Sequence, residues 1–272
     1  MAELLPAQRH RHIVGEVERQ GQVRVAELAA QLSVSEMTVR RDLTFLAGDG
    51  ILIKVHGGAM KEGSTTSSEP GFATKLGLQT GEKERIAARA AGLVHPGMSL
   101  ALNSGTTTFA LAHHCTSIDD LTVVTNSPRI AQVFYDADNA SQTVVLTGGV
   151  RTPSDALVGP IALGAVAQLH VDLYIMGVHG MTAEHGFTTP NMQEAHVNRE
   201  FLRAAGRTAV VADHAKWGVT GLCTIAPLDA VDTVVTDERL PRAAVEHLEN
   251  TVGEVLIAAP EKASDTPTGS EA

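Results

Sequence analysis

Residues 102–108, reading LNSGTTT, combine the residue types that an anion site needs. An apolar run precedes them and a helix-forming stretch follows. Gly105 permits close backbone approach, the hydroxyls of Ser104, Thr106 and Thr107 donate hydrogen bonds, and the unpaired amides of a helix N-terminus attract negative charge. A phosphate suits such a loop. It is not the phosphate loop of nucleotide hydrolases, because no lysine follows the glycine at that spacing. The same residue types also cap helices that bind nothing. Three more polar loops end apolar runs: Thr125-Asn126-Ser127, Leu146-Thr147-Gly148-Gly149, and residues 212–218, reading ADHAKWG. Lys216 offers a point charge to a phosphate, and Asp213 an acceptor for sugar hydroxyls. Taken singly, these residues are explained as well by turn chemistry and a surface ion pair. The agreement of several loops favours a ligand.

A second chemistry lies near the N-terminus, in residues 23–60. Ser35, Thr38, Arg40 and Arg41 sit where a recognition helix touches bases and phosphates, and Lys54 and His56 where a hairpin wing reaches the backbone or minor groove. A helical hairpin that only packs would share the apolar pattern but has no need of the arginine pair or the basic wing. His10 and His12 are candidates for phosphate contact or plain surface residues. His113-His114-Cys115 has the composition of a metal site, but adjacent helical positions point apart, so no metal is expected.

The elements that position these residues are legible in the apolar spacing. Ile13, Val14 and Val17 share one face of a helix over residues 6–20. Val25, Leu28, Ala29 and Leu32 recur at i, i+3, i+4 and i+7, an amphipathic helix. Ser33-Val34-Ser35 breaks that pattern, and Ser35 is an N-cap for a helix that begins at Glu36, with Val39, Leu43 and Leu46 inward. Gly48 and Gly50 end it. Ile51, Ile53 and Val55 then alternate with Leu52, Lys54 and His56 before Gly57-Gly58, a hairpin. Together these make a winged helix-turn-helix over residues 1–60.

Residues 61–80 hold Gly63, a Ser/Thr run, Pro70 and Gly71 and read as a linker. A helix over 82–94 follows. Short apolar runs at 99–102, 121–125, 143–146, 173–176, 208–212, 231–236 and 255–258 then alternate with helical segments near 107–114, 128–135, 159–169, 192–205 and 241–249. Buried strands joined by helices make a mostly parallel α/β sheet over residues 81–259. The polar residues 260–272 read as a disordered tail.

Hydrophobic residues make up 43% of the 272 positions and aromatic residues 3%, so the core is built from aliphatic side chains. No run reaches the ~18 apolar residues of a membrane span, and the N-terminus lacks the apolar segment of a signal peptide. The two cysteines, Cys115 and Cys223, stand far apart, which points to reduced thiols in the cytoplasm. The net charge of −10 is unevenly placed. Residues 1–60 carry seven basic and seven acidic side chains, so the acidic excess lies wholly in the rest. A neutral head before an acidic body suits contact with DNA through the head alone.

With both halves read, the chain resembles the DeoR/GlpR family of bacterial transcriptional repressors from about Arg9 to Val255. The motifs that carry this are VAELAAQLSVSEMTVRRDL, LIKVHGGA, EKERIA, LNSGTTT, TVVTNS, LTGG, ALVGP, the loop at 177–180, and ADHAKWG. The resemblance implies an α/β second domain similar to ribose-5-phosphate isomerase and the CoA transferases, which binds a phosphorylated sugar or related metabolite and forms oligomers, dimer or tetramer. It implies double-stranded operator DNA as partner, no cofactor and no catalysis. Its ligand set on this sequence is Asn103, Ser104, Gly105, Thr106, Thr107, Asn126, Gly148, Gly149, His179, Asp213 and Lys216. Asn103 stands where the family often has Asp, Asn198 where it commonly has Lys, and His179 where related isomerases carry a catalytic Asp. The alternative is an isomerase with an inherited DNA-binding head, for which Glu194 and Asp213 are the carboxylates near the rim.

Overall fold

Glycine and serine punctuate the first four elements. A computed structural model describes residues 5–48, 51–55, 57–61 and 72–259. Helix α1 (Pro6–Gln20) stops at Gly21, whose left-handed backbone returns its N–H to Val17 O at 2.8 Å. The turn opens a short strand β1 (Gln22–Arg24), absent from the sequence expectation, and then α2 (Val25–Leu32). Ser33, at φ 53°, ends α2 and leads into α3 (Glu36–Gly48). Strands β2 (Leu52–Val55) and β3 (Gly58–Lys61) form the wing, and β1 pairs with β3 in a three-stranded sheet ordered β1-β3-β2. Gly58 is required there, because a Cβ would stand 2.1 Å from Val23 O. Ile13, Val17, Leu28, Val39, Leu43, Leu46 and Leu52 close the core of this head. Ile53 and Val55 are exposed, so only Leu52 of the β2 apolar run turns inward.

The second half begins with α4 (Phe72–Leu76), a short helix inside the expected linker, and α5 (Thr80–Ala91). There follow β4 (Ser99–Leu102), α6 (Thr106–Cys115), β5 (Thr122–Thr125), α7 (Pro128–Ala137) and β6 (Thr143–Leu146). A two-stranded ribbon, β7 (Val150–Arg151) and β8 (Leu157–Val158), precedes α8 (Pro160–Val166) and β9 (Val171–Gly177). The chain continues through β10 (Gly180–Thr182), β11 (Gly186–Thr189), α9 (Met192–Ala204), β12 (Ala205–Val211), a 3-10 turn (His214–Lys216) and β13 (Cys223–Ala226). It ends in β14 (Thr233–Asp237), α10 (Arg242–Glu249) and β15 (Glu254–Ala258). Among the described residues no helix is long and apolar enough to cross a membrane.

Seven strands form one sheet, ordered β15-β14-β12-β9-β4-β5-β6, and every pairing in it is parallel. Both faces are covered. Leu100, Leu102, Leu173 and Ile175 pack beneath α5, α6 and α7, while Ala101, Tyr174, Met176 and Val210 face α8, α9 and α10. That double burial is why the strands read as unbroken apolar runs. The chain runs outward from β4 to β6, returns, and runs the other way from β9 to β15. The reversal places a crevice between the carboxyl ends of β4 and β9, where open α/β sheets bind ligands. A small antiparallel sheet, β10-β11-β13, flanks the main one. The expectation of strands joined by helices did not include it.

The linker residues 62–71, the tail 260–272 and His56 lie outside the described residues.

Candidate functional site

On α3 the Ser35 hydroxyl accepts the Thr38 N–H at 3.2 Å and lies 2.9 Å from Thr38 Oγ1, an N-cap as expected. With Val39, Leu43 and Leu46 buried, Arg40 and Arg41 emerge on the open face. Arg40 pairs with Glu36 at 3.0 Å, a bond between exposed groups and so of little strength. Arg41 has no ion-pair partner among the described residues. Lys54 donates to Thr44 Oγ1 at 2.8 Å and so ties the wing to α3. The middle of α3 is fixed from beneath. Asp42 is buried, accepts from Arg9 Nε at 2.5 Å and Nη2 at 3.0 Å, and meets His10 Nε2 at 2.9 Å. Burial alone would raise the Asp42 carboxyl, but the bonds from Arg9 and His10 outweigh it and hold it below the usual range. His10 also stacks on Phe45 with ring centres 5.0 Å apart. It is a packing residue, and Arg9 with it.

At the crevice, Asn103 and Gly177 are joined twice. Asn103 Nδ2 donates to Gly177 O at 2.9 Å, and Gly177 N donates to Asn103 Oδ1 at 2.8 Å. Nδ2 also donates to Asn198 Oδ1 at 3.3 Å, which in turn accepts from Tyr174 Oη at 3.0 Å. The Asn103 side chain therefore closes the sheet's reversal through three hydrogen bonds. Asn126 also bridges loops: Oδ1 accepts from Ser104 N at 3.1 Å and Nδ2 donates to Leu157 O at 3.1 Å. Ser104 Oγ donates to Ser154 O at 2.8 Å.

What remains open is the start of α6. The hydroxyls of Thr106 and Thr107 make no hydrogen bond among the described residues, although both residues are buried. Thr108, next in line, is occupied by Asn103 O at 2.8 Å. Gly105 lies where a Cβ would stand 3.0 Å from Thr108 Oγ1. Gly148 and Gly149 have positive φ, and a Cβ on Gly149 would fall 2.4 Å from Val158 O, so these glycines serve the β7–β8 ribbon.

The ADHAKWG loop presents a cationic wall. Asp213 is buried and caps the 3-10 turn, its Oδ1 accepting from Ala215 N at 3.0 Å. Lys216 has no ion-pair partner among the described residues. Near it lies Lys83 of the EKERIA motif, buried and donating to Lys75 O at 2.6 Å and Leu78 O at 2.5 Å. Burial, with Lys216 next in weight, lowers its ammonium to about 8. Burial and the charges of Lys216 and Lys75 push His179 down to about 3, so its imidazole is neutral at pH 7. Lys83 was not among the residues expected at the site. Its signal was a lysine at a helix position that the apolar pattern turns inward.

His214 was also missed. Its Nδ1 lies 2.9 Å from Asp237 Oδ1 and its Nε2 3.3 Å from Glu27 Oε1 of the head, an ion pair bent away from hydrogen-bond geometry. Burial would lower its pKa, but Asp237 and Glu27 overcome this and raise it to about 9.

The carboxylate arrangement does not suit isomerisation. Glu194 accepts from Thr152 Oγ1 at 2.6 Å and from Ser154 Oγ, so it organises the 152–154 loop. His114 pairs with Glu84 at 2.6 Å, His113 stacks edge-on against Phe109, and burial pushes the Cys115 thiol up to about 12.

A winged DNA-binding head followed by a doubly wound domain with an anion-seeking crevice defines a ligand-responsive transcriptional regulator. Family comparison agrees in both halves: residues 9–65 match the DeoR-like helix-turn-helix domain and residues 78–238 the DeoR C terminal sensor domain. The putative aga operon transcriptional repressor of Escherichia coli O157:H7 is 33% identical, over 92% of this chain and 93% of that one. The glycerol-3-phosphate regulon repressor of Escherichia coli K12 is 30% identical over 89% and 94%. The chain belongs to the DeoR family of transcriptional regulators, and it is not an enzyme. Among solved structures, a ribose-5-phosphate isomerase in complex with phospho-erythronic acid is 15% identical with a TM-score of 0.38 over 50% of this chain and 52% of that one, too partial a likeness to bear on function.

Proposed function

We propose that this protein is a repressor of sugar-related genes whose hold on operator DNA is controlled by a phosphorylated sugar or related metabolite. The head, residues 1–60, contacts DNA through Thr38, Arg40 and Arg41, with Ser35 fixing the start of the recognition helix and Lys54 and His56 on the wing. Residues 61–80 link it to an effector and oligomerisation domain, residues 81–259, and the protein works in the cytoplasm as a dimer or tetramer. The relatives act on an aga operon and a glycerol-3-phosphate regulon, which supports a phosphorylated effector here.

The observation that carries the effector reading is the pair of unbonded hydroxyls, Thr106 and Thr107, at the helix start beside the sheet's reversal. The effector's phosphate is held there, with Ser104 and the Gly148-Gly149 backbone at the rim. Lys216 supplies charge and neutral His179 one donor and one acceptor. Asn103, Asn126 and Asp213 hold these loops in place.

The test is fluorescence anisotropy of the protein on DNA from upstream of its own gene, with and without a panel of sugar phosphates. One compound should shift the affinity, and Thr106→Ala or Thr107→Ala should remove the shift while leaving DNA binding intact. Specific binding that no sugar phosphate moves would refute the effector class.

A further inference from the structure

Two side chains of the head reach across to the loop that carries Lys216. Arg24, the last residue of β1, donates from Nη1 to His214 O at 2.9 Å, and from Nη2 to Ala215 O at 2.6 Å and to Trp217 O. Those carbonyls end the 3-10 turn: His214 O also accepts from Trp217 N at 3.3 Å, whereas Ala215 O and Trp217 O sit where a helical turn leaves acceptors without backbone donors. A planar guanidinium with several fixed donors matches such a set, as a lysine ammonium does not. One turn further along the head, Glu27 meets His214 at 3.3 Å. The head thus places one cation and one anion against the same loop.

The contact also shapes the cleft beside Lys216. Gln22, Arg24 and Glu27 of the head form one wall, and Lys83, Asp213 and Lys216 the other. The enclosed space is about 70 Å³, well short of the ~300 Å³ at which metabolite pockets begin. A sugar phosphate that reaches Lys216 must widen the cleft, and the wall that can withdraw is the head. Meanwhile Arg41 remains on the open face of α3, so the docked head is free to meet DNA.

We propose that Arg24 is the residue by which the head closes the Lys216 cleft, so that a phosphorylated metabolite and the docked head compete for one loop. The proposal rests on the reading of that loop as part of the effector site. Arg24 acts through the backbone of residues 214–217 and touches no ligand, so it is a positioning residue. When the effector enters, the head loses its fixed orientation, and paired heads no longer match the spacing of paired half-sites. By linkage, operator DNA and effector weaken each other's binding by one common factor.

The test uses the full chain and its one tryptophan, Trp217, which lies in the loop itself. Inorganic phosphate and glycerol 3-phosphate are titrated against the wild type, Arg24→Ala and Arg24→Lys with Trp217 fluorescence as the readout. Both variants should bind the probes about tenfold more tightly, within the usual range of such couplings. For Arg24→Ala this gain runs against electrostatics, since a cation has been removed, and a general loss of structure would not produce it. Unchanged or weaker binding in Arg24→Lys overturns the proposal even if Arg24→Ala fails to fold.

Hydrogen exchange at the Gly218 amide, bonded to Met181 O at 2.8 Å, reads the docking contact without any ligand. It should quicken in both variants while β9 and β12 keep their protection. Unchanged exchange there overturns the docking contact itself. Quickened exchange with no phosphate response in any of the three proteins overturns the effector reading, and the competition with it.

Discussion

Asn103 and Gly177, 74 residues apart, exchange a pair of hydrogen bonds across the reversal of the parallel sheet, at 2.9 and 2.8 Å. An amide can do this because it donates and accepts at once; a carboxylate only accepts. Asn103→Asp would leave Gly177 O without its donor in a half-buried place and set a negative charge beside Asn198. The domain should lose about 1–3 kcal/mol of stability, read by denaturant unfolding. If Asn103→Asp matches the wild type, the bridge is not what holds β4 and β9 at their ends.

Arg41 and Asp42 are neighbours on α3 with opposite duties. Arg41→Ala should abolish operator binding and leave thermal stability within about 0.5 kcal/mol. Asp42→Ala should also lose DNA binding, but by destabilising the head by about 3 kcal/mol, because the buried Arg9 loses its carboxylate. Calorimetry beside anisotropy separates the two. Equal stability losses would contradict the assignment of Arg41 to the DNA face.

The His214 imidazole, raised to about 9 between Asp237 and Glu27, makes the head-to-body contact sensitive to alkali. A group whose folded pKa lies above its unfolded value stabilises fully below the unfolded value, near pH 6.5, and that stability is lost as pH rises through about 9. The thermal stability should therefore fall between pH 7 and pH 9.5, and His214→Asn should flatten this slope. A wild-type stability that rises over the same interval would show that the imidazole is not charged in the folded state.

Lys83, lowered to about 8, gives anion binding its own pH dependence. Affinity for phosphate should fall as pH passes from 7 to 9 and this ammonium deprotonates, whereas His179, near 3, contributes no change there. Lys83→Arg should carry the binding to higher pH, because a guanidinium keeps its charge. Titration by Trp217 fluorescence at each pH measures it, and identical profiles would remove Lys83 from the site.

The helices of the head and the seven strands of the main sheet were legible in the amino-acid sequence, whereas β1 and the β10-β11-β13 sheet were not. Apolar spacing in α2 and α3, the cap at Ser35, and the seven apolar runs all act over a turn or a strand, within reach of local backbone preference. The anion-seeking character of residues 104–107 was likewise legible, because it depends on types that lie side by side.

Pairings across long separations came from the fold alone: Asn103 with Gly177, Arg9 with Asp42, Arg24 with the carbonyls of His214, Ala215 and Trp217, and β1 with β3. Asn103 and Asn126 read as ligand contacts from their chemistry, and only the fold shows the hydrogen bonds they make to neighbours brought from elsewhere in the chain. Composition states what a side chain can bond. Packing, which balances burial against the cost of leaving a polar group unpaired, selects the partner.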